Sequence, residues 1–325
     1  MARIFDKYYG VLRKLKFNYV LANVFNQKSL KHNQSQYEKL GLKKSVLLPV
    51  SSEDFKHLPD ERPWIDVDFD REVYESKLNA LPIQDSYKQA LKDFPDNGFV
   101  VLKGFLTEEE VELVNQEIDR LIDDKVVDFN FTGRKVMFAF EHSEHIAKMI
   151  TKVELLKTLS FLVGRKVHPF QTINFIEPSE QNPHSDSIHM TTYPLGFMNA
   201  AWFALEDISM DAGPIEYYPG SHKLPYILNP TFDHGGNKFR IGENAYGEYE
   251  KTIQNLIAEH QLKPSYFDAK KGDVLIWHGN LIHGGSKRKN PKLTRKSMVC
   301  HYFAEDVVCY HELTQRPAYI KSYLG

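Results

Sequence analysis

The chain has 325 residues, enough to bury a large core as one domain or as one domain with an appendage. Its 42% hydrophobic content is globular, and 41 Lys and Arg against 43 Asp and Glu leave a net charge of −2, which excludes a global field for nucleic acid. Two cysteines exclude a disulfide framework or a zinc cluster, and no run of eighteen apolar residues is present to cross a membrane. Charges interrupt every apolar run before Lys16, so no signal peptide is read and a reducing, cytoplasmic setting is expected.

Residues 1–66 read as an arm whose structure the sequence leaves open. Over residues 8–25 basic and apolar residues mix, with Arg13, Lys14 and Lys16 among Val11, Leu12, Leu15 and Phe17. Such a segment can lie on an anionic membrane surface. A helix packed on the main domain is the favoured reading. Residues 67–165 read as a helical buttress at the start of one domain that runs to residue 325. A short helix over 85–92 is stopped by Phe-Pro-Asp-Asn-Gly at 94–98, which is strong turn chemistry, and residues 99–102 form a short buried strand. Thr107 caps the next helix with Glu110 completing a capping box, and Val111, Val114, Ile118 and Leu121 give it one apolar face. A further helix is predicted over 143–163, ending at Gly164.

From Lys166 onward the texture changes to strands and loops. Residues 167–176 alternate, with Thr172 and Asn174 on one face and Gln171, Ile173 and Phe175 on the other. Residues 198–205, 215–218, 274–277 and 297–303 complete the visible strands, so the chain is mainly β with flanking helices. Between them, residues 223–270 form a long insertion with a loop at 233–236 and a predicted helix over 248–260. We expect this insertion to be a lid that forms much of the substrate pocket, with Phe232, Phe239 and Tyr246 closing over a ligand and Lys238 and Arg240 meeting an anionic group. A fixed buttress is the equal alternative.

The chemistry concentrates in Asn-Pro-His-Ser-Asp at 182–186. A histidine and a carboxylate two residues apart in an extended segment point to the same side, so His184 and Asp186 can reach one cation. His283, in Ile-His-Gly-Gly-Ser at 282–286, offers a second imidazole where a predicted strand ends. Two histidines and one carboxylate make the facial triad of non-haem Fe(II) oxygenases, which leaves positions for a cosubstrate and O2. Twelve residues past His283, Arg295 heads a strand-like run. Its rigid guanidinium suits the far carboxylate of 2-oxoglutarate. Arg288, in the same basic segment, is a substitute for that role. Ser286 is placed to add a hydroxyl to the same carboxylate. His222 reads as a structural histidine in its Pro-Gly-Ser-His turn, His278 as a solvent-facing or supporting residue, and His189 as either a substrate contact or a surface residue.

With Gly-Pro-Ile-Glu-Tyr-Tyr-Pro-Gly-Ser-His at 213–222 and Gly-Asp-Val-Leu-Ile-Trp at 272–277, the sequence resembles the phytanoyl-CoA dioxygenase family of Fe(II)/2-oxoglutarate oxygenases from about residue 96 to about residue 303. The resemblance implies a double-stranded β-helix of the jelly-roll or cupin type, and 2-oxoglutarate and O2 as cosubstrates with a small-molecule substrate. It also implies Asn174 or Thr172 as the contact to the near end of 2-oxoglutarate. Relatives that carry a small residue in place of the carboxylate halogenate, so Asp186 favours hydroxylation of a small-molecule or lipid-like substrate. The rival readings are a non-enzymatic jelly-roll protein with a structural or sensory metal, and a cupin-type metal isomerase or hydrolase. Neither has use for a dicarboxylate anchor. The oligomeric state is not legible.

Overall fold

Strand alternation decides which side chains face the interior of the roll and which face the helices. A computed structural model describes residues 14–130, 133 and 135–320. Its main sheet is antiparallel and six-stranded, in the order β1 (Phe99–Leu102), β8 (Val274–His278), β5 (Met198–Ala204), β10 (Ser297–Ala304), β3 (Val167–Phe175) and β2 (Lys135–Met137). In β10, Met298, Cys300 and Tyr302 turn outward to pack with Leu155, Leu159 and Leu162 of the Val153–Val163 helix in one apolar core. Val299 turns inward, to a second core with Trp202, Leu275 and Trp277. Both faces are thus buried, which is why β5, β8 and β10 read as almost continuous apolar runs.

Two smaller sheets complete the jelly roll. One, in the order β7 (Ser265–Tyr266), β6 (Ile215–Tyr217) and β9 (His283–Gly285), closes the inner core through Phe267 against Trp202 and Tyr217 against Phe99. The other, β12 (Arg316–Pro317), β11 (Val308–His311) and β4 (Thr191–Tyr193), carries the arm. Asn33, in the Lys31–Lys39 helix, donates to the Cys309 carbonyl and accepts from the Cys309 amide. Phe55 stacks on Tyr193 with ring centres 4.5 Å apart. The part of residues 8–25 that precedes Lys14 lies outside the described residues.

The capping box is present, with the Glu110 amide donating to the Thr107 hydroxyl and the Thr107 amide to the Glu110 carboxylate. The helix predicted over 143–163 is two helices, Glu144–Ile150 and Val153–Val163. Thr151 ends the first by donating its hydroxyl to the Ala147 carbonyl at 2.7 Å, and Lys152 is extended at φ −50°, ψ 130°. Such a side-chain bond competes with the helix without disturbing the apolar periodicity.

The turn at 94–98 and the turn at 219–222 lock together. Gly98 has φ +75°, and a Cβ there would lie 2.3 Å from His222 Nδ1. His222 is buried, and its Nε2 lies 3.2 Å from the Pro95 carbonyl, so the ring donates there. Burial first, then neighbouring His278, lowers its pKa to about 3. Unfolding returns this group to an ordinary histidine value of 6.5. Between those pH values the unfolded chain binds the proton and the folded chain does not, so this contribution to stability is present above 6.5 and is lost as the pH falls. Urea midpoints at pH 7.5 and 5 are expected to differ more for the native chain than for His222→Gln. Equal differences would remove His222 from the acid sensitivity.

Candidate active site

Backbone pairing brings the two histidines together. His184 and His283 form an isolated antiparallel bridge in which each amide donates to the other's carbonyl at 2.9 Å, and their rings lie 4.6 Å apart. Asp186 follows two residues after His184, at the first residue of a short 3-10 turn. All three side chains are buried, and one ligand atom from each lies within 4.8 Å of the others. His184 Nδ1 lies 2.9 Å from the Asn182 carbonyl, and His283 Nδ1 lies 3.0 Å from the Leu281 carbonyl. A carbonyl only accepts, so each Nδ1 carries the proton and each Nε2 keeps its lone pair for the shared space.

The electrostatics agree with that donor set. Burial, then His283 and His189, pushes the His184 pKa well below the ordinary value and keeps the ring neutral. Burial alone would raise Asp186, but His283, His301 and His184 together outweigh it and hold its carboxyl below the usual carboxylate range. Asp186 Oδ2 accepts from Trp277 Nε1 at 2.8 Å, which fixes the carboxylate, and His301 Nε2 lies 3.5 Å from the same oxygen. Two neutral imidazoles and one ionised carboxylate fit a divalent cation such as Fe(II). Gln181 donates its amide to His184 Nε2 at 3.2 Å, a bond that a cation on that lone pair displaces.

A cavity of about 330 Å³ opens from these three residues, and Arg295 forms part of its wall. The guanidinium is buried. Among the described residues it has no acidic partner, its Nε has no hydrogen bond, and its Nη1 makes one long bond of 3.5 Å to the Gly213 carbonyl. Burial lowers its pKa to about 10, so it is still charged at neutral pH. Lys135, also on the wall, shares the Phe175 ring with it, at 5.8 Å against 5.3 Å for Arg295. Lys135 donates to Gln181 Oε1 at 3.1 Å, and burial lowers its pKa. Arg288 is engaged elsewhere, with Nη1 bonded to the Leu293 carbonyl and 3.3 Å from Glu177.

Three of the expected cosubstrate contacts lie away from the cavity. Thr172 and Asn174 stand opposite Cys300 and Met298 of β10, on the helix-covered face, while Gln171, Ile173 and Phe175 line the cavity. The resemblance pointed to one face of β3, and period-two alternation puts the other toward this cavity. Ser286 donates its hydroxyl to the Pro214 carbonyl, and Gly284 and Gly285 form the wall instead. The insertion also differs from the lid expected of it. Among the described residues, none of 223–270 lines the cavity, and Phe239 is 79% exposed. Its Ala245–Glu259 helix sits against the metal-binding segment, where the Tyr249 hydroxyl accepts from the Ser185 amide at 2.8 Å and the Tyr246 hydroxyl accepts from Gln181.

The sequence reading missed Lys135 and His301, and gave His189 no firm role. His301 had a signal: it lies six residues after Arg295, an even spacing that puts both on the inner face of β10 and its approach. Lys135 had none, since β2 has only three residues. His189 lies on the wall, and burial lowers its pKa to about 4.

A jelly roll that holds this facial triad beside a buried arginine with no acidic partner among the described residues belongs to the non-haem iron oxygenases. The family model for phytanoyl-CoA dioxygenase matches residues 94–297, and the chain belongs to that family. It is similar to the human peroxisomal phytanoyl-CoA dioxygenase, at 25% identity over 241 residues that cover 66% of this chain and 68% of the relative. The Dictyostelium discoideum homolog of phytanoyl-CoA dioxygenase domain-containing protein 1 is 22% identical, covering 67% of this chain and 92% of the relative. Among solved structures, the fold is similar to the non-heme alpha ketoglutarate dependent carbocyclase SnoK from nogalamycin biosynthesis, with TM-score 0.56 and 18% identity over 71% of this chain and 87% of that one. EctD from S. alaskensis with 2-oxoglutarate and 5-hydroxyectoine gives 0.54 and 19%, over 79% and 86%. The protein is an Fe(II)- and 2-oxoglutarate-dependent oxygenase.

Proposed function

We propose that His184, Asp186 and His283 hold the iron, that Arg295 takes the far carboxylate of 2-oxoglutarate, and that the enzyme hydroxylates a C–H bond of a small-molecule or lipid-like substrate. The observation that carries this reading is Arg295, a buried cation on the cavity wall with no acidic partner among the described residues. Burying a charge is costly unless an opposite charge meets it, so the site is built to receive an anion. Fe(II) held by His184, Asp186 and His283 would supply, with 2-oxoglutarate and O2, the oxidising power for C–H hydroxylation, the overall products being succinate, CO2 and the hydroxylated substrate.

The chain's own residues bind, orient and exclude water. Arg295 and Lys135 give the cavity two positive charges for a dicarboxylate. Trp202, Phe175 and Trp277 give it dry walls, where such charges act more strongly than in water. Trp277 and His301 hold the Asp186 carboxylate from one side, which leaves Oδ1 toward His283. The presence of Asp186 supports hydroxylation over halogenation. A reducing, cytoplasmic setting accords with the free, buried thiols of Cys300 and Cys309.

The test is succinate formation from 2-oxoglutarate by purified protein given Fe(II) and O2. No succinate above the metal-free control would overturn the reading. In the same assay Lys135→Met is expected to weaken the apparent affinity for 2-oxoglutarate by about 1–3 kcal/mol, the scale of a charge-assisted hydrogen bond. An unchanged affinity would assign Lys135 to the substrate or to Gln181 instead.

A further inference from the structure

The helix Lys16–Phe25 is packed inside out. Its buried residues are Lys16 and Asn23. Lys16 Nζ donates to the Asn237 carbonyl at 2.6 Å and to Gln315 Oε1 at 2.7 Å, and Asn23 donates to the Leu47 carbonyl and accepts from the Tyr319 hydroxyl. Those polar anchors turn the apolar stripe outward. Phe17, Leu21, Val24 and Phe25 recur at helical spacing on one face, with Phe17 69% and Phe25 80% exposed. Phe239 joins them from the insertion, because the Lys16 amide donates to its carbonyl at 2.9 Å. An ordinary amphipathic helix hides this stripe in the core.

The charge around the stripe is predominantly positive. From residue 7 to residue 37 the sequence has Lys7, Arg13, Lys14, Lys16, Lys28 and Lys31 and no Asp or Glu. Lys28 and Lys31 are exposed just beyond the helix, and Lys238 and Arg240 flank Phe239. Glu243, in the same loop, is shared by Lys14 and Arg240. Aromatic and aliphatic side chains ringed by cations complement an anionic lipid surface, which supplies both an apolar layer and negative headgroups. A protein partner would need an apolar patch rimmed by acids.

We propose that this face docks the enzyme peripherally on an anionic lipid bilayer, with Phe17, Leu21, Phe25 and Phe239 entering the headgroup boundary. Among the described residues no helix is long and apolar enough to cross a membrane, so the contact lies in the interface plane. On its other side the helix neighbours the site: Tyr19, two residues from Phe17 and so on the opposite face, lies with its ring 5.3 Å from the guanidinium of Arg316, which lines the cavity.

The test is co-sedimentation of the full-length protein with phosphatidylcholine vesicles, with and without about 30 mol% phosphatidylglycerol. Binding is expected only to the anionic vesicles and is expected to fall in high salt. The triple variant Phe17→Ser, Leu21→Ser, Phe25→Ser should lose at least about tenfold in partitioning with its melting temperature unchanged, since all three side chains are exposed. Lys28→Gln and Lys31→Gln should each lose roughly fivefold. No vesicle binding, equal binding to neutral vesicles, or full binding by the triple variant overturns the proposal. So does a wild-type dimer that ignores vesicles and becomes monomeric in the triple variant, because the face then pairs with a second copy.

Discussion

Asp186→Ala is expected to lower iron-dependent succinate formation by more than about a hundredfold, because even the outer partners of metal ligands are worth 10–100-fold. The fold should survive. The carboxylate sits at a turn on a formed scaffold, and the groups left without their partner are Trp277 Nε1 and His301 Nε2, each a cost of about 1–3 kcal/mol. Removal of a buried carboxylate also relieves its desolvation, which offsets part of that cost. The sharper readout is metal-induced stabilisation. Mn(II) or Fe(II) at about 100 times its Kd adds about 2.7 kcal/mol to the stability of the native chain, and none of it should remain in Asp186→Ala. Asp186→Asn separates charge from shape: its amide oxygen can still accept from Trp277, yet the site loses its negative charge, so metal binding should fail with the melting temperature kept. Metal stabilisation that persists in both variants would take Asp186 out of the ligand set.

How much of this site was legible follows from what periodicity encodes. His184 and Asp186 share a side because the chain is extended there, and a spacing of two expresses that directly. His283 enters by long-range pairing, the bridge to His184, which no local pattern records; the motif around it carried the inference. Arg295 was legible as a cation heading a strand, whereas its burial without an acid is a tertiary fact. The assignments that moved all depended on choosing a face. The resemblance pointed to Thr172 or Asn174 on β3, whereas the cavity is walled on that strand by Gln171, Ile173 and Phe175. The helix Lys16–Phe25 shows the same limit in reverse, since its spacing is right for an amphipathic helix while its anchors, Lys16 and Asn23, are set by partners more than 20 residues away or more than 200.

Arg295→Met is expected to make the protein more stable and unable to bind 2-oxoglutarate. The guanidinium is wholly buried, its hydrogen bonding amounts to one long contact with the Gly213 carbonyl, and Lys135 adds a like charge across the Phe175 ring. The folded chain therefore bears a desolvation cost that no acid in the described residues repays. Replacement of buried charges by apolar side chains of similar volume is often neutral or stabilising by about 1–4 kcal/mol, and methionine matches the length of the stem. Denaturant midpoints should rise, and the further stabilisation that 2-oxoglutarate gives the native chain should vanish, while Mn(II) still binds because the triad is untouched. Arg295→Lys keeps the charge and loses the planar fork, so it should retain binding weakened by about 1–3 kcal/mol. Arg288→Lys is the control, since Glu177 and the Leu293 carbonyl already occupy that guanidinium. A loss of stability in Arg295→Met with 2-oxoglutarate binding intact would mean that the arginine is a packing element and that Lys135 alone meets the dicarboxylate. A larger effect from Arg288→Lys than from Arg295→Lys would move the anchor to Arg288.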